Sequence, residues 1–163
     1  MIDMKRMEAI LNHKLFQDTL HQIEEKEVHR EFCRHGMPHL LDTARIAYIT
    51  CLENGLPLEK DIVYATALLH DLGRACQDEE GYDHRLGGLP IIEEILKDSG
   101  FDDSEIQEIK KAVASHGQKP QDSDQSLSAV LYRADKQSRN CFWCPAALQC
   151  YWPENQRNMS IKS

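Results

Sequence analysis

The chain lacks any hydrophobic run long enough to cross a bilayer. Its longest, Ile62 to Leu69, is eight residues and includes a Tyr and a Thr, whereas a helical span needs about 20. Met1 to Asn12 mixes charged and apolar residues and holds no uninterrupted apolar core. Neither membrane insertion nor secretion is therefore expected, and the cytoplasm is the default compartment. Positive charge is in deficit, with 19 Lys and Arg against 27 Asp and Glu and a net charge of −8. That balance disfavours a broad nucleic-acid-binding face and leaves room only for a local basic pocket. Repeats and low-complexity segments are absent, and nowhere do β-branched residues alternate with period two, which argues against a sheet.

What is present is an ordinary globular mixture, 41% apolar and 28% charged over 163 residues. A chain of this size buries roughly 70% of its unfolded surface, so residues 1–163 are expected to form one domain with its own core. Met4, Met7, Leu11, Leu15, Phe16, Leu20 and Ile23 recur at helical steps, predicting an amphipathic segment from Met4 to about Arg34, broken near Glu24 to Lys26. A second helix runs from His39 to about Glu53, with Asn54-Gly55 as a left-handed cap. A third spans Leu58 to about Leu72 and is apolar over most of its circumference, which makes it the central element, with Gly73 closing it. A fourth covers about His84 to Lys97, after an acidic loop at Gln77 to Asp83. A fifth begins behind Asp102-Asp103-Ser104, with Ser104 and Gln107 as its capping box, and reaches about His116. After a polar loop from Gly117 to Ser126, a sixth takes Leu127 to about Asn140. The reading is all-α, a multi-helix bundle with its core at about residues 30–140. Residues 141–163 form an irregular Cys- and aromatic-rich extension, frayed from about Asn155.

His70-Asp71 stands at the end of the most apolar helix. An imidazole and a carboxylate buried without partners would cost several kcal/mol or neutralise by shifting their pKa, and a divalent cation is one way to satisfy both. His39, His84, His116 and Asp135 recur at helix ends or on one helical face. Each alone has a plainer reading. A histidine at a helix terminus is ordinarily a cap or a solvated residue, and Asp135 has Arg133 and Lys136 beside it as salt-bridge partners. Their joint order, a His, then His-Asp, then two His, then Ala-Asp, is what favours a metal site.

The stretches His39-Leu-Leu-Asp-Thr-Ala-Arg, Ala67-Leu-Leu-His-Asp-Leu-Gly-Arg74 and Leu131-Tyr-Arg-Ala-Asp135-Lys resemble the HD-domain superfamily of metal-dependent phosphohydrolases, an all-α fold. The resemblance spans about residues 30–140 and is most specific at the His-Asp-Leu-Gly stretch. It implies a first metal site at His39, His70, Asp71 and Asp135, and a second, found in small bacterial binuclear members, at His84 and His116 with Asp71 bridging. Arg74 stands where many members carry Lys, which keeps the charge but alters its geometry.

One or two divalent ions, Fe, Mn, Zn or Co, suit such mixed ligands. A bound ion lowers the pKa of its water to about 7. The implied activity is hydrolysis of a phosphate ester or anhydride of a small anionic substrate, a nucleotide being favoured. Asp71, Arg74, Lys136 and Arg139 are the catalytic candidates, the three cations as phosphate contacts. Arg139 follows Asp135 by four residues and so is expected on its helical face. Two rival readings share these ligands: a di-iron oxygenase of the same superfamily, and a non-catalytic metal- and nucleotide-binding module.

His35 lies four residues before His39, a one-face helical spacing that Gly36 and Pro38 interrupt. It is read as a support for the ligands or a substrate contact. His13, His21 and His29 belong to the polar face of the first segment and are expected to be exposed. With no export signal expected, the six cysteines are read as thiols or metal ligands rather than disulfides. Cys141, Cys144 and Cys150 could form a separate metal site, but a closed zinc site needs a fourth ligand, from Cys33, Cys76 or a His. The alternatives are reduced, buried thiols packed with Phe142, Trp143, Tyr151 and Trp152, or a redox disulfide.

Overall fold

A computed structural model describes residues 4–76 and 83–162. Among these there are eight α-helices and no strand, so the fold is all-α as the apolar periodicities require. The helices are α1 Lys5–Asn12, α2 Lys14–Lys26, α3 Met37–Glu53, α4 Lys60–Leu69, α5 His84–Gly87, α6 Leu89–Asp98, α7 Asp103–Ser115 and α8 Leu127–Gln137. Four 3-10 turns complete the list, at Leu72–Cys76, Cys141–Trp143, Ala147–Gln149 and Glu154–Gln156.

Helix α4 is the central element expected from its apolar circumference, with Ile62, Val63, Ala65, Thr66, Ala67, Leu68 and Leu69 all buried. It packs most extensively along α3 and also meets α1, α7 and α8. Small side chains make that close packing possible: Ala44 of α3 and Ala67 of α4 meet in one cluster with Leu131 of α8. The tip of α3 follows the expected pattern, with Gly55 at φ 60° and the Leu56 N–H donating to Cys51 O at 2.9 Å.

Several boundaries differ from the sequence reading. The first segment breaks at His13 as well as at the expected place, since α2 ends at Lys26. His13 is extended, its Nδ1 accepts from the Leu15 N–H at 3.2 Å, and its Nε2 lies 3.0 Å from Asp98. The break lets Met7 and Ile10 of α1 and Phe16, Leu20 and Ile23 of α2 all enter one core. His13 is thus a cap rather than a free surface group, while His21 and His29 are exposed as expected.

Helix α4 ends at Leu69, and Gly73 lies inside the following 3-10 turn instead of closing the helix. The single helix expected over His84 to Lys97 is two, α5 and α6, divided at Gly88 with Pro90 in the first turn of α6. The capping box of α7 is Asp102 with Glu105, reciprocally bonded at 2.9 Å in both directions, rather than Ser104 with Gln107. The acidic loop falls outside the described residues at positions 77–82. The C-terminal end is ordered further than expected, since Arg157 and Asn158 both bond backbone carbonyls of earlier residues.

Candidate metal centre

Five helices converge on one point, each by an end or its adjoining residue except α8, which contributes a side chain near its C-terminus. His39 sits in the first turn of α3, His70 caps α4 and Asp71 follows it. His84 opens α5, His116 caps α7, and Asp135 lies on α8. Arrival of α5 depends on two glycines. A Cβ at Gly73 would fall 1.7 Å from His84 O, and one at Gly88 would fall 2.7 Å from Gly73 N. Only bare backbone allows this crossing, which carries His84 to the centre.

The six side chains form two groups whose nitrogen and oxygen atoms lie within 4.8 Å of one another: His39, His70, Asp71 and Asp135, and Asp71, His84 and His116. Asp71 belongs to both. Its Oδ2 lies 3.1 Å from His70 Nε2 and 3.4 Å from His39 Nε2, and its Oδ1 lies 3.9 Å from His116 Nε2. Asp135 Oδ1 is 3.2 Å from His39 Nε2 and 3.7 Å from His70 Nε2. All are buried except His84, which is half-buried.

Hydrogen bonding assigns the ring tautomers. His70 Nδ1 meets Ala67 O and His116 Nδ1 meets Val113 O, both at 2.7 Å. A carbonyl can only accept, so both Nδ1 atoms carry the proton. Ser138 Oγ donates to Asp135 O at 2.8 Å and therefore accepts from His39 Nδ1 at 3.0 Å. Whenever these rings are neutral, Nε2 presents a lone pair inward. Lone pairs face carboxylate oxygens about the same centre, an arrangement that is repulsive unless positive charge lies between them. His70 Nε2, Asp71 Oδ2 and His84 Nε2 are buried without a hydrogen-bond partner, a costly state that a divalent cation relieves. The residues fit a cation on these grounds.

Without an ion the site gathers positive charge by protonation instead. Burial opposes charge on His70, yet Asp71 and Asp135 pull it up to about 10, so its Nε2 holds a proton that a cation would displace. Burial likewise works against ionised Asp71 and Asp135, but His70 and His39 hold both far below the usual carboxylate range. His116 is pushed down to about 4 by burial and by the charge of His70, and burial and Arg74 lower His84. The centre carries two ionised carboxylates and attracts cations strongly.

The three expected phosphate contacts all reach this centre. Arg74 Nε donates to Asp71 Oδ1 at 2.7 Å. Lys136 Nζ donates to Asp135 Oδ2 at 3.0 Å and remains half-exposed. Arg139 arrives by a route other than the shared helical face, because α8 ends at Gln137. It donates to Arg34 O at 2.6 Å and lies 3.2 Å from His39 Nε2. His35 is buried edge-on to the His39 ring, at 5.7 Å between centroids. Its Nδ1 donates to Glu27 Oε1 at 2.5 Å and its backbone N–H to Oε2 at 2.7 Å. Burial pushes His35 down, whereas the bonds from His35 hold Glu27 low against its own desolvation. The pair is a neutral imidazole on an ionised carboxylate, packed behind His39. Sequence reasoning missed Glu27 and Ser138, whose partners are eight and 99 positions away. Of the glycine crossing the sequence displays Gly73 and the Gly87-Gly88 doublet, but not that Gly73 and Gly88 meet.

Residues 37–140 match the HD domain family model. The chain belongs to the HD domain family. A relative from Clostridium beijerinckii, described as an uncharacterized protein, is 36% identical over 158 residues, covering 97% of this chain and 99% of its own. No solved structure matches the chain significantly. The HD match contains all six converging residues, together with Arg74, Lys136, Ser138 and Arg139. HD domains bind divalent metals and are generally hydrolases of the metal-dependent phosphohydrolase superfamily. Among the described residues no helix is long and apolar enough to cross a membrane. Cys33, Cys141, Cys144 and Cys150 lie outside the HD match.

Proposed function

We propose that this HD domain protein is a metal-dependent phosphohydrolase that cleaves a phosphate ester or anhydride of a nucleotide. The observation that carries the reading is Asp71, buried and shared by two groups of inward-facing donors. His39, His70, Asp71 and Asp135 would hold one divalent ion, and Asp71, His84 and His116 a second, with Fe, Mn, Zn and Co all compatible. Such ions, when bound, acidify a coordinated water and neutralise phosphoryl charge.

The chain itself supplies orientation and dryness. Ala67 O, Val113 O and Ser138 Oγ lock the three imidazoles, which keeps their Nε2 atoms aimed without reorganisation. Leu68, Leu69 and Leu72 are fully buried around the His70-Asp71 pair and exclude water from its rear. Arg74, Lys136 and Arg139 bind phosphate oxygens, a local attraction that a chain of net charge −8 needs for an anionic substrate. A nucleotide is favoured by a neighbouring cavity of about 440 Å³ lined by Lys119, Tyr132, Lys136, Trp152 and Gln156. Its two aromatic rings suit a base, and its two lysines suit the phosphates.

Elemental analysis combined with a nucleotide panel tests this. The metal-loaded protein should release phosphate or a nucleotide product, and Asp71→Ala should lose both metal and turnover. Full activity in that variant, or saturable nucleotide binding by the metal-loaded wild type with no product over hours, overturns the reading.

A further inference from the structure

Four of the six cysteines come together at the C-terminal end of the chain. Cys33, from the loop between α2 and α3, and Cys141, Cys144 and Cys150 line one cavity of about 260 Å³. All four are free thiols. They come from sequence positions up to 117 residues apart and lie outside the stretch that matches the HD domain. Only Cys141 is fully buried; the other three are half-buried. The reading of buried thiols packed with the aromatics holds for Cys141, which is buried, and for Trp152, which lines the same cavity, but Phe142, Trp143 and Tyr151 are exposed.

What holds this region is not an apolar core. From residue 141 to residue 162 only Cys141 and Ala146 are buried. The chain nevertheless follows a defined path. Arg157 donates to Ala147 O, Cys150 O and Trp152 O, and Asn158 to Lys136 O and Arg139 O. The ring of Tyr151 meets that of Phe32 edge-on at 5.5 Å and so ties the extension to the loop that carries Cys33. Half-exposed hydrogen bonds of modest net worth do not order an irregular segment of this length. Small coreless segments are ordinarily stapled by a metal or by disulfides, and no disulfide is present.

The spacing of the sulfurs decides what kind of staple fits. In a tetrahedral zinc site, bonds of about 2.3 Å place the thiolates about 3.8 Å from one another. Among the described residues only the two HD groups bring three or more ligand atoms within 4.8 Å of one another, and neither contains a cysteine. No three of the thiols are therefore as close together as zinc ligands, and the cavity that they line, of about 260 Å³, has room for more than one ion. Four cysteine thiolates about such a space are the donor set of an iron–sulfur cluster. The environment also suits an anionic thiolate cluster. Arg34, Arg139 and Arg157 line the cavity against a single carboxylate, Asp42, and the Trp152 N–H donates to Cys150 Sγ at 3.5 Å. Arg139 pulls on the Cys33 thiol in the same sense, although burial outweighs it and pushes that thiol up.

We propose that Cys33, Cys141, Cys144 and Cys150 ligate an iron–sulfur cluster that staples the C-terminal extension onto the helical bundle, next to the HD centre, whose His39 lines the same cavity. The test uses the full chain purified without oxygen and, in parallel, the same chain reconstituted with ferrous iron and sulfide. Acid-labile sulfide, iron, the visible absorption of sulfide-to-iron charge transfer and the electron paramagnetic resonance of the reduced protein are measured. Sulfide and its absorption are expected in the wild type. They should be lost in the triple variant Cys141→Ser, Cys144→Ser, Cys150→Ser, and reduced in Cys33→Ser, a single change in a loop that leaves the bundle intact. Circular dichroism of both variants checks the helices. Asp71→Ala should retain its full sulfide content, which separates failure of this site from failure of the HD centre. Four freely titrating thiols without bound sulfide after reconstitution overturn the proposal. So does sulfide retained by the triple variant, or one zinc ion per chain released on cysteine substitution.

Discussion

The HD centre and the cysteine-lined extension solve opposite problems. At the centre, polar groups are inserted into a core that exists without them. Leu68, Leu69, Leu72, Ile92, Ile95, Leu96 and Ile109 are all buried at 1% exposure or less. In the extension large apolar residues face outward, with Trp143 84% and Leu148 92% exposed, while its three thiols and the Arg157 guanidinium line a cavity. The first region is a fold that houses a site. The second is a site without which there is little to fold. A ligand added to the first changes chemistry, and a ligand added to the second changes structure.

The contrast is sharpest in how each region answers truncation of an apolar side chain. Leu69→Ala removes a fully buried side chain from α4 and should lower unfolding free energy by about 2–5 kcal/mol, measured by urea denaturation. A smaller loss would mean that the helices around α4 collapse onto the gap. Next in size is Gly73→Ala. Its new Cβ meets His84 backbone at 1.7 Å, so α5 must shift, at a cost of about 1–3 kcal/mol. Elemental analysis should then show the metal content falling from two ions to one, because His84 leaves while the His39, His70, Asp71 and Asp135 group stays. Unchanged metal content would detach His84 from the site.

Surface terms come last. Glu93 on α6 bonds Lys97 at 2.6 Å and Lys110 of α7, and these bonds lower its pKa to about 2. Because the folded value lies below the unfolded 4.5, the pair stabilises the protein above that pH, and the benefit is lost as pH falls from about 4.5 toward 2. The group is partly exposed, so salt should screen the effect as well. Thermal melts of wild type and Glu93→Gln should differ slightly at pH 7 and converge at acidic pH or in about 1 M salt. Leu148→Ala should change stability by less than about 0.5 kcal/mol. A larger loss would show that this exposed leucine has a covering surface, and the contrast between the two regions would weaken.

Much of the centre was legible before folding. A helix apolar around most of its circumference and ending in His70-Asp71 identifies a buried terminus carrying two ligands, and periodicity located the other helices to within a few residues. Illegible were features whose partners are remote or purely geometric. His13 breaks the first segment because two apolar faces must enter one core. Glu27 and Ser138 support His35 and His39 from other elements. Arg139 reaches His39 only because α8 ends early and the chain turns back toward Arg34. For the extension, Cys141, Cys144 and Cys150 announced themselves by spacing, but the choice of Cys33 over Cys76 as their companion was open.

By itself, then, the order of residues determined which faces are apolar, where helices begin and end in outline, and that a histidine–aspartate pair closes the central helix. These follow from a repeat of 3.6 residues, which is local. Tertiary structure alone decided that Asp71 is shared between two groups, that α5 crosses the 3-10 turn where Gly73 meets Gly88, and that Cys33 joins three thiols over a hundred positions away. Each of those depends on how closely two backbones approach, a distance that side-chain volumes across the whole core set together and that no local pattern encodes.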